Sequence, residues 1–119
     1  MKRLMLLLAL AAAASAVSSC TAHKGDFSLV NNAREPIARA SVSVCGQTIE
    51  LENVQSGGRV EGSYRVTSES HYTVRVEFPS GRSLTRDIGY VTSGLDFRDE
   101  IVVSDSDIQI TKPALDRQR

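Results

Sequence analysis

The sequence predicts an all-β fold, a small antiparallel β-sandwich of immunoglobulin-like kind, after an N-terminal segment of different character. Three observations carry this expectation. Apolar residues recur with period 2: Tyr72, Val74, Val76 and Phe78 alternate with His71, Thr73, Arg75 and Glu77, the pattern of a half-buried strand. Turn-forming clusters (CGQT, QSGGR, PSGR, SDSD) punctuate the alternating runs, at the spacing that short sandwich strands require. After the first twenty residues, no window keeps apolar residues at i, i+3, i+4 and i+7 long enough for a helix. A small β-barrel is the second architecture that fits.

The strands are placed near residues 26–31, 37–45, 48–52, 59–66, 71–78, 83–91, 101–104 and 107–111. In the second, Val42 and Val44 share a parity with Ala38 and Ala40, opposite Arg39, Ser41 and Ser43. CGQT puts Gly46 first in a two-residue loop, which suits a type II′ hairpin. That register sets Val44 opposite Ile49 and Val42 opposite Leu51, so the inward faces agree. Val60, Tyr64 and Val66 alternate with Arg59, Glu61, Ser63 and Arg65. The run Leu84 to Val91 is the least regular. Arg86 shares its parity with Leu84, Ile88 and Tyr90, and a bulge would re-aim it.

The first twenty residues have a separate logic. Lys2 and Arg3 precede the apolar run MLLLALAAAA, which ends in small residues. This is an export signal, too short for the roughly 20 apolar residues that span a bilayer. The ending VSSC resembles the lipobox of bacterial lipoproteins. The resemblance implies cleavage before Cys20, a diacylglyceryl thioether on its sulfur and an acyl chain on its new amine. An ordinary secretory signal that leaves Cys20 as a free thiol is the other reading of the same residues. By the resemblance, Thr21 is not the aspartate that retains lipoproteins in the inner membrane. The expected location is therefore the outer membrane, facing the periplasm. The organisation that follows is a signal peptide over 1–19, a lipidated cysteine and tether over 20–26, a sandwich over 27–111 and a loose tail over 112–119. The stretches VCGQTIEL, VTSESHYTVRVEFPSGRSL and DIGYVTSGLDF also resemble a group of small bacterial exported β-rich proteins of no assigned function. That resemblance implies no activity.

Composition narrows the function classes. The chain carries 14 basic and 14 acidic side chains. Loss of Lys2 and Arg3 with the signal leaves an acidic excess of two. That is no electrostatic footprint for nucleic acid, which calls for a clustered basic excess. With Cys20 lipidated, Cys45 has no partner within the chain, so the apolar core must hold the fold alone. Alternation places Cys45 on the polar side, although a twist beside Gly46 would bury it.

Four constellations bear on chemistry. His71 lies among Ser68, Glu69 and Ser70, but neighbours on one strand point to alternate faces and cannot form a triad by themselves. His23 falls in the tether, where nothing orients it. No enzyme activity and no cofactor are expected. Asp96, Asp99, Glu100, Asp105 and Asp107 are an acidic group of the kind calcium uses. A strand Ile101–Val103 would hold DFRDE and SDSD roughly 10 Å apart, at about 3.3 Å per residue. The segment Gly89–Glu100 holds Tyr90, Leu95 and Phe97. These are either core residues of a bent strand pair or a partner-binding loop, and the core reading is favoured. The function expected is that of a membrane-anchored envelope lipoprotein, its sandwich a structural or protein-binding module for an envelope partner. A calcium- or small-ligand-binding module is the alternative, and an enzyme the third.

Overall fold

The computed structural model describes residues 23–111 and shows eight strands there, in two packed four-stranded sheets. They are β1 (His23–Asn31), β2 (Ile37–Val44), β3 (Gln47–Val54), β4 (Arg59–Val66), β5 (Ser70–Glu77), β6 (Ser83–Val91), β7 (Phe97–Val103) and β8 (Ile108–Thr111). One sheet has the order β4-β1-β7-β8 and the other β3-β2-β5-β6. The expected sandwich is present, and the two sheets do not close into a barrel. The strand order is not that of the immunoglobulin fold, in which the first two strands are neighbours in one sheet. Here β1 and β2 lie in different sheets, and β1 runs parallel to β7 while every other pair is antiparallel.

Asn31 marks the crossing from one sheet to the other. It is fully buried at the end of β1, and its side chain is satisfied on both sides. Its amide donates to the carbonyls of Glu35 and Val54 at 2.9 and 3.0 Å, and its oxygen accepts the Ala33 N–H at 2.9 Å. A buried amide that makes these bonds costs little, and it locks the bend that sends the chain to the second sheet.

Alternation fills the core largely as read. Val42 and Val44 of β2, Tyr64 and Val66 of β4, and Tyr72, Val74 and Val76 of β5 all point inward. Ala38 does not. Residues 37–40 and 51–54 both follow a buried–exposed–exposed–buried step. Asn53 takes a left-handed φ of 54° at that level, which Asn tolerates better than most residues. Parity breaks there, and Ile37 enters the core in place of Ala38.

The β2–β3 hairpin turns one residue earlier than its sequence suggests. Val44 pairs with Gln47 and Val42 with Ile49, so the loop is Cys45–Gly46, both with positive φ (51° and 71°). That is type I′ and not type II′, and its twist matches the flanking strands. The change moves the register by two residues, so the inward faces still agree.

Two further boundaries move. β1 starts at His23, inside the stretch that reads as tether, because residues 23–30 pair with β4 down to Val66. β7 starts at Phe97 and not at Ile101, which brings Asp99 into a strand. Cys20, the signal segment and residues 112–119 lie outside the described residues.

Candidate functional site

Aromatic rings and glycines exchange places where β1 meets β4. Gly25 pairs with Tyr64, and Phe27 pairs with Gly62. A methyl group on Gly25 would overlap the Tyr64 ring, and one on Gly62 would stand 2.5 Å from Phe27 Cζ. Each glycine therefore seats the ring of the opposite strand. Tyr72 of the facing sheet packs edge-on against both rings, at 6.3 Å from Phe27 and 5.8 Å from Tyr64 between centroids.

Those rings bring hydroxyls together in the core. Tyr72 donates to Asp99 Oδ2 at 2.6 Å, and the Tyr64 and Tyr72 oxygens lie 2.7 Å apart. Because the Tyr72 proton goes to Asp99, Tyr64 must donate to Tyr72. The result is a directed chain, Tyr64 to Tyr72 to Asp99, that ties the two sheets together. Asp99 is 1% exposed. Burial pushes the Tyr64 phenol up to about 12, with the nearby Asp99 carboxyl adding to the rise. Burial, and then the bond to Asp99, raises Tyr72 further. This triad is a structural clasp with no solvent-facing group. In the sequence, Asp99 reads as one of the acidic group Asp96, Asp99, Glu100, Asp105 and Asp107. Its parity with Phe97, Ile101 and Val103 was the available signal that it points inward.

The exposed chemistry sits at the two ends of the sandwich. The proximal end carries the start of β1, the β4–β5 loop and the β6–β7 loop. A bulge shapes it: Ser70 faces Val91 and Tyr72 faces Ile88, so β6 has one extra residue there. Gly89 takes the left-handed position of that bulge, with φ 75°. The bulge reverses parity, sending Val91 into the core and Tyr90 into solvent. Re-aiming thus falls on Tyr90 and not on Arg86. Tyr90 is 63% exposed and Leu95 53%, contrary to a core role for either. Phe97 is half-buried and packs against the core, as expected.

Contacts of two loop carboxylates, Glu69 and Asp96, fix this end. The Tyr90 hydroxyl donates to Glu69, which holds that carboxyl below its ordinary range and raises the phenol. Glu69 also accepts the Ser93 N–H at 3.3 Å. Asp96 Oδ1 accepts the Lys24 N–H at 2.9 Å and lies 3.2 Å from His23 Nδ1. The Lys24 amide and the His23 ring hold the Asp96 carboxyl low. His23 is thus oriented by Asp96 in a paired strand, where the tether reading left it free.

The remaining candidates separate in space. At the distal end, Asp105 pairs with Arg34 at 2.9 Å, Asp107 with Arg86 at 2.8 Å and Glu35 with Arg82 at 3.1 Å. Hydrogen bonds from these arginines, and from the Arg34 and Ile108 amides, lower the three carboxyls. Glu100 lies 3.5 Å from Arg59 on the outer face of its sheet. The five acidic residues of the calcium reading therefore occupy both ends, the outer face and the core. Among the described residues, no three His, Cys, Asp or Glu side chains gather as a metal site. Near His71, the Ser70 hydroxyl accepts the Cys45 N–H at 2.9 Å and donates to the His71 carbonyl at 3.2 Å. The His71 ring instead lies 3.7 Å from Asp87, and Thr73 donates to that carboxyl at 2.7 Å. Cys45 is buried, its thiol donating to the Ser68 carbonyl at 3.5 Å. A concavity of about 450 Å³ lies on the outer face of β4, β1 and β7 between Arg59, Glu61, Arg98 and Glu100. Its charges are of both signs.

No protein-family model matches the sequence, and no curated protein is similar to it. Among solved structures, the chain is similar to the NMR structure of a protein from Eubacterium rectale. That likeness has a TM-score of 0.56 at 14% identity, over 79% of this chain and 94% of that one. A disulfide-locked mutant of intermedilysin with human CD59 matches at a TM-score of 0.37 and 6% identity, over 77% of this chain and 24% of that one, too remote to support an argument. The Eubacterium rectale protein shares the fold, and the likeness extends no further than that.

Proposed function

We propose that the protein is an envelope lipoprotein, anchored through Cys20 and exposed to the periplasm at the outer membrane, whose sandwich binds a partner protein by strand addition. The anchor rests on the export signal that ends in VSSC. The observation that carries the binding reading is the open edge of β6. Four strands are sheet edges: β4, β8, β3 and β6. The Gln47 side chain at the head of β3 bonds the backbone of Arg65 in β4, donating at 2.8 Å and accepting at 3.0 Å. It thereby pins those two edges to each other at that end. β8 has four residues, whereas β6 has nine, most of them exposed. An extended segment of a partner gains main-chain hydrogen bonds by lying along such an edge.

Photo-crosslinking in cells tests this. A crosslinker in place of Thr85 on β6 should capture one extended segment of an envelope protein, and one in place of Glu50 on β3 should not. Equal yields from both positions would refute the edge assignment. Intact mass of the membrane fraction should show a chain that starts at Cys20 and carries acyl mass. An unmodified soluble chain would refute the anchor.

A further inference from the structure

We propose that the proximal end of the sandwich, led by Leu95 and Tyr90, docks against the lipid surface in which Cys20 is held. This rests on the anchored reading and adds an orientation to it. Three peptide units separate Cys20 from His23, so their Cα atoms can stand at most about 11 Å apart. His23 already belongs to β1, paired with Val66. The anchor thus has almost no slack, and the strand starts at the membrane surface.

The β6–β7 loop is tied to that same point. Asp96 accepts the Lys24 N–H at 2.9 Å and contacts His23 at 3.2 Å, and Leu95 is the residue before it. On its other side, Glu69 holds Ser93 and Tyr90. Leu95 therefore stands on a short turn fixed from both flanks, with Gly94 at φ 87° as its bend. Among the described residues, Tyr90 and Leu95 are the large hydrophobic side chains left exposed, and both lie at this end. The distal end shows ion pairs instead. An aliphatic tip with a tyrosine beside it suits the boundary between headgroups and acyl chains, where amphipathic rings collect. The pinned loop needs no ordering on contact, so docking sets the tilt of the domain and leaves the stretch of β6 before its bulge clear of the lipid.

The chain has no tryptophan, so a single one is a clean reporter. Leu95→Trp and Ser80→Trp, the latter in the β5–β6 turn at the distal end, are each made in the full-length acylated protein. Each is reconstituted into phosphatidylethanolamine–phosphatidylglycerol vesicles, with and without brominated acyl chains. Emission from Leu95→Trp should shift to the blue and lose intensity with the brominated lipid, while Ser80→Trp should do neither. Because tryptophan itself favours the interface, amide exchange of residues 92–96 is also followed in the protein without a tryptophan. It should slow on vesicles, and Leu95→Glu should abolish that slowing. Unquenched Leu95→Trp, or unchanged exchange, in protein that carries acyl mass and floats with the vesicles overturns the docking and leaves the anchor standing. A chain that lacks acyl mass and does not float overturns the anchor and the docking with it.

Discussion

Replacing Tyr72 with Phe removes one oxygen and leaves the ring in place. That oxygen accepts from Tyr64 at 2.7 Å and donates to Asp99 at 2.6 Å, across the interface between the sheets. A neutral hydrogen bond contributes about 1 kcal/mol net, and one to a carboxylate about 1.5–3 kcal/mol. The easier burial of Phe returns part of this, so a loss of roughly 2–4 kcal/mol is expected. Tyr64→Phe removes only the first bond and should cost about 1 kcal/mol. For a domain of this size each kcal/mol moves the midpoint by about 4–8 °C. Tyr72→Phe should therefore lower Tm by roughly 8–32 °C, and Tyr64→Phe by clearly less. Thermal melts of the two single variants and the double variant, followed by circular dichroism, provide the assay. If the two singles cost the same, the chain does not run from Tyr64 through Tyr72 to Asp99. If the singles add in the double, the hydroxyls are not coupled.

The other predictions follow from the same core. A phenol at about 12 in the fold and near 10 when unfolded binds its proton more tightly in the folded state. Its stability contribution falls as pH rises from 10 to 12, by about 3 kcal/mol. Tm should drop over that window less steeply in Tyr64→Phe, and tyrosinate absorbance should show Tyr90 ionising before the two buried phenols. A wild-type slope left unchanged by Tyr64→Phe would count against the burial. Gly25→Ala should destabilise by about 3 kcal/mol through overpacking against the Tyr64 ring, whereas a stable variant in denaturant titration would mean the glycine is not its seat. Val74→Ala should cost about 1–3 kcal/mol and Thr73→Ala less than about 1 kcal/mol. Equal midpoints for those two would invert the face assignment of β5.

The candidate site was half legible. Tyr90, Leu95 and Phe97 stand out in the sequence as apolar residues among turn formers, and a binding loop was one reading of them. What period 2 could not supply was their direction. One inserted residue at Gly89 reverses the parity of everything after it up to the next turn, and the insertion leaves no mark except a glycine. The same limit hid the outward face of Ala38, where the left-handed Asn53 breaks the alternation. Asp99 was misplaced for a different reason: a charged residue reads as surface until its neighbours on the same parity are seen to be core.

Local properties determined the strand content, most turn positions to within a residue or two, and the inward faces of β4, β5 and the later part of β2. They do so because alternation and turn chemistry act over a few residues. Only the tertiary structure decided that β1 begins at His23 and lies between β4 and β7. The residues that make this possible, Gly25 beneath Tyr64 and Gly62 beneath Phe27, lie 39 and 35 positions apart in the chain. A glycine in a polar stretch looks like slack until the ring that needs its empty face arrives from another strand. The buried Tyr64–Tyr72–Asp99 clasp has the same origin. Its three members come from three strands in two sheets, and burying them is tolerable only because each hydroxyl finds the next.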